Sequence, residues 1–179
     1  MGIGNRKSGI GNRESGIGNG DIREKMLIRN YQVSDAKAVF DVYKNAIMGI
    51  ASQAYNSKQV EIWSSYPKDI DQFTKRLSMG ITVVAVDSNN IVAFGQLHPA
   101  NHIDLLFTAK DYSRQGYATA IYQQLEDEAL RQSVNCLYTE ASRISKYFFL
   151  KQGFTIIEPE TVFLSGVGFE RFRMEKVIG

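Results

Sequence analysis

Residues 102–131, HIDLLFTAKDYSRQGYATAIYQQLEDEALR, constrain the fold of this 179-residue chain more than any other stretch. Residues 103–107 are a short apolar run of the kind a buried strand makes. Residues 118–130 repeat apolar positions at helical spacing through Ile121, Tyr122, Leu125, Ala129 and Leu130. Between them lies Ser113-Arg114-Gln115-Gly116-Tyr117-Ala118. A chain that turns from strand into helix leaves the first amide N–H groups of the helix without internal partners, and the helix dipole makes that end positive. Such an end can seat a phosphate. Gly116 lets the backbone approach an anion closely, Ala118 keeps the next turn small and Arg114 adds a full positive charge. The stretch therefore reads as a cradle for a pyrophosphate, with an ordinary strand-to-helix turn as the alternative.

The rest of the chain supplies a context for that turn. Residues 27–31 alternate like a half-buried strand. Ser34 and Asp35 signal the start of a helix with the apolar stripe Val39, Phe40, Val42, Tyr43 and Ile47. Ser57 opens a short helix through Val60, Ile62 and Trp63, and residues 69–77 form another beyond Pro67. Residues 81–86 and 91–97 are strands joined at Ser88-Asn89-Asn90, a hairpin turn by composition. After the strand–loop–helix come a strand at 134–139, a helix at 143–151 ended by Gln152-Gly153, and strands at 154–157 and 169–177.

Arg114-Gln115-Gly116-Tyr117-Ala118 resembles the central motif of the GNAT superfamily of N-acetyltransferases. That motif reads Gln or Arg, two residues, Gly, one residue, then Gly or Ala, and Ser113 stands at its first position here. A second stretch, Ser145 through Phe154, resembles the segment near the GNAT C-terminus that is usually aromatic, Tyr, three residues, Gly-Phe. Phe148 and Gly153-Phe154 match, and Phe149 occupies the tyrosine position. IRNYQ, ASQAYNSKQVEIW and HIDLLF are similar to segments of small bacterial members of poorly defined substrate. The resemblance covers roughly residues 26–177. It implies an α/β (α+β) fold: a mixed, mostly antiparallel sheet of six to seven strands, flanked by helices and splayed between strands 4 and 5.

The resemblance further implies acetyl-CoA as co-substrate, no metal, and direct transfer of acetyl to a primary amine of a small molecule or peptide. Its pyrophosphate would sit on Arg114, Gln115, Gly116, Tyr117, Ala118 and Thr119. Backbone groups around Leu106, Phe107 and Thr108 would pair with the pantetheine arm as if it were another strand. An alkyl amine is mostly protonated near neutrality, its pKa being about 10, so a base or a water chain must take a proton. Strand periodicity puts His102, Asp104, Leu106 and Thr108 on one face. Asp104 and His102 are thus candidates for base or amine anchor, or else ordinary residues at the start of a strand. The resemblance puts the usual general acid at position 149, where Phe149 has no proton to give, so either another donor such as Tyr147, Tyr112 or a water substitutes, or the enzyme is slow, or it has lost catalysis. Tyr55, Gln59 and Trp63 recur four apart and either line the acceptor site or anchor the core. The rival in another class is a non-catalytic acyl-CoA-binding or regulatory module.

Composition narrows the partners. No apolar run approaches the roughly 18 residues of a membrane span, no secretory leader is evident, and the single Cys136 excludes an internal disulfide. A cytoplasmic home is the default. Two His and one Cys leave no metal-ligand spacing. Residues 1–25 carry five basic and three acidic side chains, so the net charge of +2 lies there and the remainder is neutral. That balance argues against nucleic acid, charged tRNA included. A homodimer stays open.

Residues 2–22 read GIGNRKS, GIGNRES, GIGNGDI, three copies of a seven-residue unit with two or three Gly and one or two Ile each. So little apolar content and so much Gly argue for a disordered tail over residues 1–25 ahead of a single domain at 26–179. A translated nucleotide repeat upstream of the true start would explain it, with Met26 as initiator. N-terminal mass spectrometry of the native protein is then expected to find Met26 or Leu27, and a terminus at residue 1 or 2 defeats the idea.

Overall fold

The computed structural model describes residues 26–179, so the repeat tail lies outside the described residues. Seven strands and five α-helices follow the expected alternation. Strand β1 (Met26–Asn30) leads through a short 3-10 turn into α1 (Ala36–Ile50), α2 (Ser57–Ser64) and α3 (Ile70–Leu77). Strands β2 (Ile81–Asp87), β3 (Asn90–Leu97) and β4 (Ile103–Thr108) form an antiparallel meander, with β1 added beside β2. The β2–β3 turn rests on Ser88 and Asn89, both at positive φ, as a two-residue hairpin loop requires.

Helix α4 (Tyr117–Arg131), β5 (Cys136–Ser142), α5 (Lys146–Lys151), β6 (Thr155–Leu164) and β7 (Val167–Val177) complete the chain. Strands β5, β7 and β6 pair antiparallel in that spatial order. The described strands thus form two antiparallel sheets, of four and three strands, joined by one isolated parallel bridge. No helix of the described residues is long and apolar enough to cross a membrane.

Two apolar layers enclose the four-stranded half. On one face α1 and α3 bury Val39, Val42, Tyr43, Ile47, Phe73 and Leu77 against Val84, Phe94 and Leu105. On the other, Ile121, Leu125 and Ala129 of α4 meet Val83, Ala85, Ala93 and Leu97. Alternation along β2 and β3 sends neighbouring side chains to opposite layers. Gly95 sets how close α4 comes: a Cβ there would lie 2.6 Å from Ile121 Cγ2 and 3.0 Å from Leu125 Cδ1.

Two local details differ from the sequence pattern. The long β6–β7 hairpin, turning at Ser165 and Gly166 with positive φ, replaces two short strands. Pro159 and the exposure of residues 155–159 hid the first half of β6, since burial alternates only over residues 160–164. Asp35 also does more than start a helix. Its carboxylate takes Arg29 Nη1 at 2.6 Å and Nη2 at 2.9 Å together with the Gln32 amide at 2.8 Å, clamping β1 to the start of α1.

Hydrogen bonds from Arg29 hold the Asp35 carboxyl below the usual carboxylate range, against the opposing effect of burial and with help from the Gln32 amide. A depressed folded-state pKa stabilises fully above the unfolded value of about 3.9, and that contribution is lost as pH falls through the folded value. Asp35→Asn is expected to lose about 1–3 kcal/mol in urea unfolding at pH 7. The gap from wild type should close toward about pH 3 or below.

Candidate active site

The two half-sheets meet along β4 and β5, which run parallel and touch only at their start. His102 and Tyr138 form an isolated bridge there. The Tyr138 amide donates to Asn101 O at 2.8 Å and Thr139 Oγ1 donates to Ile103 O at 3.0 Å. Beyond these contacts the strands part around a pocket of about 190 Å³. Its walls are Asp104, Leu106, Phe107 and Thr108 of β4, Glu140 and Ser142 of β5, Ile47 and Ile50 of α1, Trp63 of α2 and Phe149 of α5. Thr108 contributes to the wall, but its Oγ1 is itself buried and has no hydrogen-bond partner among the described residues.

From Thr108 the chain makes a single 3-10 turn, Lys110–Tyr112, and enters the loop before α4. Arg114 and Gly116 both adopt positive φ, 60° and 93°. The α4 ladder begins with Ala120 N donating to Gly116 O at 3.0 Å. Among the described residues the amides of residues 114–119 have no protein acceptor. Successive free N–H groups around residues of positive φ form a concave anion seat. A Cβ on Gly116 would meet nothing within 4 Å, so this glycine answers to its φ and to open space before it.

The side chains around the loop take separate tasks. Arg114 is exposed, and its guanidinium has no protein partner among the described residues. Gln115 Nε2 ties back to Asp111 O at 2.8 Å. Tyr117 points inward, and its hydroxyl donates to Asp87 Oδ2 at 2.5 Å, fixing the helix start to the end of β2. Burial first and the Asp87 carboxylate second push that hydroxyl up to about 12. Tyr117 can thus offer the seat only its amide.

At the pocket end, Asp104 is locked by Arg76 of α3, with Nε 3.0 Å from Oδ2 and Nη2 2.8 Å from Oδ1. His102 stands behind the lining, its Nε2 2.7 Å from Glu140 Oε2 and its Nδ1 3.3 Å from His98 O. A neutral imidazole can donate to only one of those acceptors. Glu140 and Arg76 were not singled out from the sequence. Strand β5 was expected to end at Thr139, and Arg76 reaches Asp104 across 28 residues by a contact no local pattern announces. An extension of the Leu137, Thr139, Ala141 alternation by one residue would have found Glu140.

The remaining candidates divide. Trp63 lines the pocket, but Tyr55 is buried behind it and packs edge-on at 5.3 Å. The Gln59 side chain completes the capping box of α2, its Oε1 accepting from the Asn56 amide at 3.1 Å, and its Nε2 donates to Gly168 O at 2.9 Å. Tyr147 is 61% exposed beside Lys146 and outside the lining. Tyr112 packs edge-on against Tyr117 at 5.8 Å. Phe149 is buried and does form part of the wall.

A sheet parted at its middle, with an acid-bearing pocket in the parting and a helix start of free amides at the end of the same strand, is the architecture of an acyltransferase. Residues 51–177 match the family described as acetyltransferase (GNAT) domain. The chain belongs to the GNAT family of N-acetyltransferases. It is 29% identical over 147 residues to the uncharacterized N-acetyltransferase YafP of Escherichia coli K12, covering 82% of this chain and 93% of that protein. A GCN5-related N-acetyltransferase structure from Rhodopseudomonas palustris superposes with a TM-score of 0.83 at 27% identity, over 86% of this chain and 96% of the other. The PaiA N-acetyltransferase of Thermoplasma acidophilum, solved in complex with coenzyme A, superposes with a TM-score of 0.69 at 14% identity, over 86% and 99%.

The positions of Tyr55 and Trp63 separate stability from recognition. The Tyr55 hydroxyl accepts from the Arg143 amide at 3.1 Å and lies 3.4 Å from Glu170 O. Tyr55→Phe is expected to cost about 1 kcal/mol in urea unfolding and to leave the acceptor KM unchanged. Trp63→Leu should raise that KM several-fold in a steady-state assay.

Proposed function

We propose that the protein transfers acetyl from acetyl-CoA directly to a primary amine of a small molecule or peptide. The observation that carries this reading is the continuity of β4 with the loop before α4. One strand lines the pocket with Leu106, Phe107 and Thr108 and leads into a loop where, among the described residues, six amides have no protein acceptor. Those groups suit a ligand with a diphosphate at one end and an amide-bearing arm. The Thermoplasma relative holds coenzyme A, which supports the same choice of donor.

In this reading the diphosphate takes the amides of residues 114–119 and the Arg114 charge. The arm lies along Leu106, Phe107 and Thr108, whose outward backbone groups have no strand partner beyond the bridge among the described residues. Holding both reactants in the parting converts a bimolecular step into a nearly unimolecular one. The amine nitrogen attacks the thioester carbonyl, the C–N bond forms and the C–S bond breaks. The amine proton leaves toward Glu140 or Asp104 through water. The thiol pKa of about 8.5 makes thiolate a tolerable leaving group, so Phe149 in the wall does not block the reaction. Positioned acid catalysis contributes typically about 10² to 10⁴ in rate, and its absence predicts a modest kcat rather than none.

A thermal shift with acetyl-CoA tests the seat. At a hundredfold excess over Kd, wild type should gain about 2.7 kcal/mol, or roughly 5–10 °C in Tm. Gly116→Trp, which projects a side chain into the open space before the amides, should lose that shift and the release of free CoA with an amine panel. Equal stabilisation of the two proteins would reject the seat.

A further inference from the structure

We infer that the acceptor is an amine on an uncharged, apolar body, and that the pocket turns away amines bearing a carboxylate beside the nitrogen. The inference rests on the transferase reading above and concerns which amines that site admits. Among the described residues, Asp104 and Glu140 are the only charged side chains of the lining. Both are acids, and they sit on the two strands that part. Arg76 and His102 stand behind them, each directed at its carboxylate rather than at the cavity. Oε1 of Glu140 has no protein donor among the described residues, which leaves an acceptor for an ammonium or amine head.

The rest of the wall decides what can be attached to that head. Ile47, Ile50, Trp63, Ile144 and Phe107 are hydrocarbon or aromatic surfaces with no charge to offer. The hydroxyls are largely engaged: Thr139 donates to Ile103 O, and Ser142 and Ser145 bond each other at 2.9 Å and each other's amides. A free amino acid entering amine first would bring its carboxylate within a few ångströms of Glu140 and Asp104, with no cation in the wall to receive it. Desolvating a charge without a partner is among the costliest steps in a binding site. A phenyl or alkyl body instead finds apolar contacts on Trp63 and the three isoleucines.

The test compares three amines of one skeleton, with free CoA read by a thiol reagent at fixed acetyl-CoA. Phenethylamine has no α-substituent, L-phenylalaninol has a neutral one and L-phenylalanine a carboxylate. The first two should show kcat/KM within about tenfold of each other, and phenylalanine should fall roughly 100-fold or more below both. Glu140→Gln, checked for an unchanged thermal shift with acetyl-CoA, should lower kcat/KM for phenethylamine and narrow its lead over phenylalanine. A purely structural role for Glu140 would not move that ratio. Phenylalanine within tenfold of phenethylamine overturns the inference. Turnover of spermidine or lysine peptides with phenethylamine inert overturns it too, and leaves acetyl transfer standing. No CoA release with any amine removes both readings together.

Discussion

Everything at the site follows from two parallel neighbours that stop pairing. β4 and β5 touch through a bridge at His102 and Tyr138, and past Ile103 no ladder joins them. A strand hydrogen-bonds on both sides, so the backbone of β4 that faces the parting is left with donors and acceptors in search of partners. Burying such a group unpaired costs about 1–3 kcal/mol. The parting must therefore stay wet or hold a molecule that carries its own amides, and it cannot simply collapse onto itself. A hole in a hydrogen-bond ladder is in this way a binding site before any side chain is considered.

Such a break would weaken most sheets, and the side chains repair it. One buried cluster runs from Val83 and Ala93 in the four-stranded half, through Ile121, Tyr122 and Leu125 of α4, to Leu137, Ala141, Phe149 and Met174 of the three-stranded half. Helix α4 spans the junction and supplies in packing what the missing ladder withholds. Gly95 allows it to settle onto β3, and the Tyr117–Asp87 hydrogen bond fixes its first turn. The helix that closes the core is also the one whose free N-terminal amides face outward, so the seat rests on the most deeply packed part of the molecule.

That arrangement explains which parts were legible in the sequence. Residues 102–131 were readable because a strand, a positive-φ glycine and an amphipathic helix are local patterns, each decided within a few residues. The meander and its Ser88-Asn89 turn were readable for the same reason. β6 was not: its first five residues are exposed and end at Pro159, alternation is confined to residues 160–164, and its pairing is with β7. The acid end of the site was half legible. Asp104 shows in the strand pattern, but its Arg76 partner and the placement of Glu140 beside it arise where distant segments meet. Tyr55, Gln59 and Trp63 share a spacing, yet α2 begins only at Ser57, so Tyr55 precedes the helix and spacing alone could not sort wall from support.

The linear order of groups on β4 has a mechanical consequence. Asp104 and Thr108 are four residues apart, about 13 Å along a strand, and the amide seat follows after one tight turn. A donor held at its diphosphate end and laid along that strand has its reach set by covalent geometry rather than by the position of a mobile loop. On the proposed reading, selection among acceptors falls to the other wall, which α1, α2 and β5 contribute. Ile50, Trp63 and Glu140 of that wall lie outside residues 114–119 of the seat. In that reading β4 and the loop before α4 serve the donor while α1, α2 and β5 face the acceptor, and the two roles meet in the pocket where β4 and β5 part.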